Sequence, residues 1–254
     1  VLERGENYTQ PGELNLRRSG HGSMLTRAIA GEDGVCPRCS IIPLRAGFLA
    51  RFPVDGSERT VSRFEADDIA AALVWATDQN ADIINLSLAV AEPSKVLALG
   101  INYAYRRGVL IVAASGNQGR AQIPYPAAYP HVLAVGAASE SGRRAPFSNY
   151  GEALDLVAPG IDVRPDAYAY HLVQGTSLSA AYVSGVAGLV QSLWPEARRT
   201  ELRSVLRRSA NLPPLIEYER TPGLGYGLLQ ASRAARLAAD RRRSLFEESE
   251  ARAQ

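Results

Sequence analysis

The sequence predicts an α/β domain, a three-layer sandwich with a mainly parallel central sheet. Short apolar runs alternate with helical patterns along most of the 254 residues, as is typical of strands joined by crossover helices. The apolar runs are continuous, which is expected for strands covered on both faces. With 46% hydrophobic residues, a chain of this length can bury one large core.

The strand and helix candidates follow one another in a regular order. The candidate strands are residues 40–44, 83–88, 109–113, 132–136 and 154–157. Residues 66–79 and 95–107 carry apolar side chains at spacings of three and four, so both segments are predicted to be crossover helices.

The C-terminal half is predicted to be mainly helical. Residues 177–194 are small or apolar on most sides, which predicts a helix buried in the middle of the domain. Residues 200–210 are predicted to form a surface helix, and residues from 230 onward a charged one. We expect one domain over residues 1–240, followed by a charged helical tail over residues 241–254.

Charge and hydropathy exclude several classes of partner. The formal net charge is +2 and no basic face is visible, so neither nucleic acid nor an anionic membrane surface is an expected partner. No apolar run reaches the roughly 18 residues of a membrane helix. The sequence begins at Val1 without a signal-peptide pattern. We expect that processing or truncation sets this start and that any targeting signal lies upstream.

Cys36 and Cys39 form a single C-x-x-C pair. A zinc site needs about four ligands, and no second pair or nearby histidine supplies them. The sequence therefore predicts either a local disulfide or two free thiols, and no metal site. An oxidised pair would favour an extracytoplasmic location.

Three segments carry the residue types needed for acyl transfer. Ser177 lies between Gly175 and an apolar helix, His21 lies between two glycines at the start of a helix, and Asn117 follows an apolar run in a Gly-Asn-Gln-Gly turn. They could supply a nucleophile, a general base and an amide donor. Each also has a structural alternative, since serine caps helices, asparagine is common in turns and histidine is common at surfaces. His131 and His171 are interpreted as loop or strand residues.

The sequence resembles the subtilisin-like serine proteases, the subtilases, from about residue 20 to residue 237. The matching segments, in the order of the family, are 20–30, 81–89, 112–119, 125–137, 147–160, 174–190 and 225–231. The resemblance implies that Ser177 is the nucleophile, His21 its base and Asn117 the oxyanion donor, together with the Ser177 backbone N–H. It also implies that the substrate lies along Ser87, Leu88 and Ala89, with Ala114, Ser115 and Gly116 lining the other side of the pocket.

The sequence departs from the family pattern at the triad acid. The family order is Asp, His, Ser, with the Asp at the end of the first core strand, but the first aspartate here is Asp33. Only Glu3, Glu6 and Glu13 precede His21 as carboxylates. We therefore expect that the first core strand is missing from this chain, that the chain is a fragment, and that the acid lies upstream. A non-catalytic relative and replacement of the acid by a glutamate are the alternatives.

Two further departures concern the site itself. Ala181 replaces a proline that usually follows the nucleophile, and Ala89 replaces a glycine in the substrate strand, where its methyl group would narrow the pocket. The loop after the base helix is short, at residues 31–34, so it leaves little room for the calcium-binding insertion of some relatives. No cofactor is expected, and a structural calcium ion is not indicated.

The resulting expectation is a serine endopeptidase that acts on peptides or proteins. An α/β-hydrolase would need a histidine after the serine nucleophile in a different motif, and the glycines at 223, 225 and 227 lack the spacing of a dinucleotide site. A subtilase-fold binding protein without activity is the alternative from another class. The family suggests a secreted or periplasmic location, and the sequence gives no signal for oligomeric state.

Overall fold

The computed structural model describes residues 20–54, 57–164, 172–212 and 220–253. The helices are α1 (His21–Ala30), α2 (Ala66–Asp78), α3 (Lys95–Arg106), α4 (Thr176–Leu193), α5 (Arg199–Ser209) and α6 (Ala231–Ala253). The strands are β1 (Gly47–Val54), β2 (Ser57–Phe64), β3 (Ile83–Leu86), β4 (Leu110–Ala114), β5 (Val132–Ala138), β6 (Leu154–Pro159), β7 (Ala210–Asn211) and β8 (Leu228–Leu229).

The central sheet has the order β3-β4-β5-β6-β8-β7. Each strand from β3 to β6 pairs with its neighbour in parallel, and among the described strands of this sheet only the short β7–β8 pair is antiparallel. Within the described residues, β3 lies at one edge of this sheet. The prediction of a mainly parallel sheet is confirmed.

Side chains of the strands alternate between two hydrophobic cores, one on each face of the sheet. In β4, Leu110, Val112 and Ala114 pack with residues of α4, α5 and α6. The intervening Ile111 and Ala113 pack with residues of α2 and α3. Both faces of the sheet are therefore covered by helices, which explains the continuous apolar runs and confirms the three-layer architecture.

Helix α4 is the most deeply buried helix of the domain, as its sequence predicts. Of its 18 residues, 12 are buried. Its glycines allow the segment after α1 to approach closely, because a methyl group at Gly188 would lie 2.5 Å from Cys39 Sγ and one at Gly185 would lie 2.7 Å from Val35 Cβ. Cys36 and Cys39 form a disulfide, so the first of the two predicted states is the observed one.

The predicted strand at residues 40–44 is wrong. These residues form no regular element, because a strand needs a hydrogen-bonded neighbour and the described residues provide none for this segment. Pro43 also lacks a backbone N–H. Leu44 nevertheless packs against the core that contains α2 and α3. The antiparallel hairpin of β1 and β2 follows instead, and no strand was predicted there.

The predicted end of the domain lies inside a helix, and four of the residues named from the sequence lie outside the described part of the chain. The predicted boundary between residues 240 and 241 falls within the continuous helix α6, where Leu245 still packs on the core that contains α4. His171, Glu3, Glu6 and Glu13 lie outside the described residues.

A buried carboxylate joins α5 to the sheet. Asp155 in β6 is 3% exposed and accepts hydrogen bonds from the Ala134 backbone N–H at 2.9 Å, Arg203 Nη2 at 3.0 Å and Arg207 Nε at 2.8 Å. Because the two arginines lie one turn apart on α5, a single aspartate fixes the orientation of that helix on the sheet.

We predict that Asp155→Ala lowers the free energy of unfolding by about 3 kcal/mol, because it leaves two arginine side chains without their buried anion. Glu152→Ala is the matched control, since Glu152 pairs with Arg220 but has 81% of its side chain exposed, and the expected loss is below about 1 kcal/mol. Urea denaturation of both variants measures the difference. Equal losses would show that Asp155 does not anchor α5.

Candidate active site

Ser177 is the second residue of α4, and its position depends on the glycine before the helix. Gly175 has φ +149°, a backbone conformation that residues with a side chain rarely adopt. Thr176 and Leu178 on either side are buried, whereas Ser177 keeps partial contact with solvent. The N-terminal end of a helix favours negative charge, so a serine oxygen there is well placed to act as a nucleophile.

Asn117 lies in the loop after β4 and contacts the same turn. Its Oδ1 accepts hydrogen bonds from the Thr176 backbone N–H and from Thr176 Oγ1, both at 2.9 Å. These two bonds fix the orientation of the amide, which leaves Nδ2 as a donor. A methyl group at Gly175 would lie 3.6 Å from Asn117 Nδ2, 3.9 Å from the Ser177 backbone nitrogen and 4.0 Å from Asn117 Oδ1. Two nitrogen atoms that can donate therefore lie near one point, which is the proximity that the donors of an oxyanion hole need.

His21 is the first residue of α1, which packs against the first turns of α4. Leu25, one turn after His21, packs with Leu178 and Ala181. The His21 side chain is exposed, yet desolvation by neighbouring protein atoms lowers its pKa below the ordinary value of 6.5. A lowered pKa keeps the imidazole neutral, which is the form that accepts a proton.

The segment after β3 is hydrogen-bonded to the serine turn. Ser87 Oγ donates to the Ser177 carbonyl at 3.0 Å and accepts a hydrogen bond from Asn85 Nδ2 at 3.0 Å. Ser87 thus lies next to Ser177, and Ala89, two residues later, is exposed. This is a position in which an extended peptide could lie.

The opposite segment contributes mainly its backbone. Ala114 and Ser115 are buried, and Ser115 Oγ donates to the Asn149 carbonyl at 3.2 Å. Gly116 donates its N–H to Thr176 Oγ1 at 3.2 Å. The Ser115 hydroxyl therefore faces the interior, so this residue could line a cleft only through its main chain.

Sequence reasoning missed two residues that contact this site. Thr176 orients Asn117, and Asn149 bonds to the loop that carries Asn117. The only sequence signals were their neighbours, since Thr176 precedes Ser177 and Asn149 lies in a segment that matches the family. Neither signal identifies a partner far away in the chain.

The described residues show neither a metal cluster nor a membrane span. No group of three or more His, Cys, Asp or Glu side chains within residues 20–253, gaps excepted, is arranged to hold a metal ion. In the same part of the chain, no helix combines the length and the hydropathy needed to cross a bilayer.

Sequence comparison relates the chain to one protease family. The model of the subtilase family matches residues 2–242. Subtilisin BL from Lederbergia lenta is 35% identical over 240 residues, which are 91% of this chain and 81% of that protein. M-protease from Shouchella clausii is also 35% identical over 240 residues, but there the chain spans 57% of the relative's length.

Solved structures agree with this relationship. The protease domain of PatA has a TM-score of 0.68 at 28% identity, with 87% of this chain and 80% of that chain covered. The prenylagaramide maturation protease PagA has a TM-score of 0.62 at 29% identity, with 69% and 68% covered.

We predict that Gly175→Ala destabilises the protein by about 1–3 kcal/mol, because alanine is strained at positive φ. Its methyl group would also contact Asn117 Nδ2. Gly223→Ala is the control, since nothing lies within 4 Å of a methyl group there, and its expected effect is below about 0.5 kcal/mol. Thermal unfolding compares the two variants. Equal melting temperatures would contradict the requirement for glycine before α4.

Proposed function

Because this chain belongs to the subtilase family, we propose that it is a serine endopeptidase that cleaves peptide bonds through an acyl-enzyme. The observation that carries the proposal is the pair of hydrogen bonds from Thr176 to Asn117 Oδ1. With Oδ1 held by these bonds, Nδ2 is the amide atom left to donate, and it lies within 4 Å of the same point beside Gly175 as the Ser177 backbone nitrogen. That arrangement suits a tetrahedral intermediate with a negatively charged oxygen.

In the proposed reaction, His21 takes the proton from Ser177 Oγ as this oxygen attacks the carbonyl carbon of the scissile peptide bond. The carbonyl oxygen becomes an oxyanion, which accepts hydrogen bonds from Asn117 Nδ2 and the Ser177 backbone N–H. The intermediate collapses when His21 protonates the leaving amine. Water then loses a proton to His21, attacks the acyl-enzyme and releases the carboxylic acid, and Ser177 regains its proton.

We propose that an aspartate upstream of Val1 supplies the third member of the triad. One observation supports this proposal. Among the described strands, β3 lies at an edge of the sheet, where a further core strand could pair. A carboxylate would fix the imidazole tautomer and stabilise its charged form. The rivals are a glutamate in its place and a subtilase-fold protein that binds without catalysis.

The remaining features of the proposal follow from the chemistry and the family. The substrates are peptides or proteins that lie along Ser87, Leu88 and Ala89 and face the backbone of Ala114, Ser115 and Gly116. Serine, histidine and carboxylate groups can carry out the reaction without a cofactor. We propose secretion or export to the periplasm, a location in which the Cys36–Cys39 disulfide would persist.

We predict that a fluorophosphonate probe labels the chain at Ser177 when its upstream sequence is present. Ser177→Ala should abolish labelling, because the probe reacts only with an activated serine. Ser192→Ala, which alters an exposed serine on the same helix, should leave labelling unchanged. Mass spectrometry of the labelled peptide identifies the site. Labelling that survives in the Ser177→Ala variant would disprove the nucleophile assignment.

We predict that the proposed triad aspartate changes the pKa of His21. In the 254-residue chain the pKa of His21 should lie below 6.5, and restoring an upstream aspartate should raise it, because the carboxylate favours the protonated imidazole. NMR titration measures this change, with the His21 signal assigned by its loss in His21→Gln.

We predict that peptidase activity also depends on the upstream aspartate. With the aspartate present, activity should increase as the pH rises through the raised pKa of His21, since the neutral imidazole is the base. Activity without the acid should be lower by about 10⁴-fold, the effect of losing this interaction in a serine protease triad. If the upstream sequence leaves both the titration and the activity unchanged, the non-catalytic alternative is favoured.

A further inference from the structure

We propose that Asn149 is a positioning residue that holds the backbone of Asn117 in place for oxyanion stabilisation. This inference rests on the proposed peptidase function. Asn149 lies in the segment before β6 and is 2% exposed. A buried amide needs hydrogen-bond partners, because an unpaired buried polar atom destabilises the fold. The partners of the Asn149 side chain lie in the loop that carries Asn117.

The hydrogen bonds of Asn149 lie on both sides of Asn117. Its backbone N–H donates to the Gly116 carbonyl at 2.9 Å. Its Oδ1 accepts hydrogen bonds from the backbone N–H groups of Gln118 at 3.0 Å and Arg120 at 3.1 Å, and its Nδ2 donates to Gln118 Oε1 at 2.9 Å. One buried side chain thus fixes the residues before and after the proposed oxyanion donor.

The loop and the Asn149 segment approach each other closely. Gly116 has φ +96°, and a methyl group there would lie 2.5 Å from Asn149 Nδ2. Only glycine fits this position. Three residues later, Gly119 donates its N–H to the Phe147 carbonyl at 2.6 Å. The backbone N–H of Tyr150 donates to the Arg120 carbonyl at 3.0 Å. The segment of residues 147–150 therefore supports the loop along its length.

Asn117 is therefore held at its side-chain amide by one residue and at its backbone by another. Thr176 holds the amide oxygen at the tip of the side chain, and Asn149 holds the backbone from which the side chain starts. An oxyanion donor is effective only within about 2.7–3.1 Å of the developing charge. A displaced backbone would tilt the amide away from that point even with Thr176 unchanged.

The test is a double-mutant cycle in the chain with its upstream sequence. Asn149→Ala should lower kcat by about 10–100-fold, because misplacing a group by about 1 Å costs up to roughly 10²-fold. KM should change by less than about 3-fold, since the oxyanion forms only in the transition state. Asn117→Ala should lower kcat by about 10²–10³-fold, the effect known for an oxyanion donor of the relative subtilisin. The double variant should match Asn117→Ala within about 2-fold.

Two further variants separate positioning from a general loss of stability. Thr77→Val removes a buried hydroxyl on α2 that donates to the Leu73 carbonyl at 2.7 Å, and it should lower the melting temperature without changing kcat. Gln118→Ala removes one partner of Asn149 from an exposed position, so it tests the same contact if Asn149→Ala fails to fold. Its kcat loss of about 2–5-fold should disappear when Asn117 is also replaced.

Failure of the positioning role and failure of the proposed peptidase function would give different results. Losses that add fully in the double variant, or a change confined to KM, would overturn the positioning role while leaving the peptidase function intact. If the unmodified protein shows no peptidase activity and no labelling of Ser177, the proposed function fails, and this inference fails with it.

Discussion

The burial of α4 against the centre of the sheet is the constraint on which the other features depend. Small residues along the helix, including Gly185 and Gly188, let it pack closely against the segment after α1. Its other side covers the β4, β5 and β6 strands. A helix fixed in this way has its N-terminus at the carboxyl ends of the parallel strands, where ligand sites of open α/β sheets form. Ser177 is therefore positioned by the core itself.

The polar contacts around Ser177 join segments that are distant in sequence. The bonds from Thr176 to Asn117 span 59 residues, and the bond from Ser87 Oγ to the Ser177 carbonyl spans 90 residues. Each contributes only about 1 kcal/mol of net stability, so their main effect is geometric. They hold two loops to the end of one buried helix, and loops held in this way can support precise chemistry without themselves being stable elements.

Elements whose burial leaves a local sequence pattern could be predicted, whereas features that depend on partners distant in the sequence could not. Helices α2, α3 and α4 were predicted within one or two residues, because burial on one or all sides leaves a local pattern. Residues 40–44 were predicted incorrectly because pairing in a sheet depends on a partner that the local pattern does not reveal. The β1–β2 hairpin was missed although Asp55-Gly56 between its strands is a common turn signal. Ser177, His21 and Asn117 stand in motifs from which their roles can be proposed, whereas Thr176 and Asn149 look like ordinary cap and turn residues.

The chemical identity of residue 117 distinguishes a structural role from a catalytic one. Its Oδ1 accepts the hydrogen bond of an N–H group at the start of α4, so Asn117 caps the helix from a distance. Aspartate caps about as well as asparagine, and the helix dipole favours its negative charge. A purely structural cap would therefore accept either residue. Aspartate would place a negative charge in the space beside the Ser177 N–H, where an oxyanion must form, and it would have no hydrogen to donate. Asparagine meets the capping requirement and also carries the N–H group that the proposed oxyanion role needs.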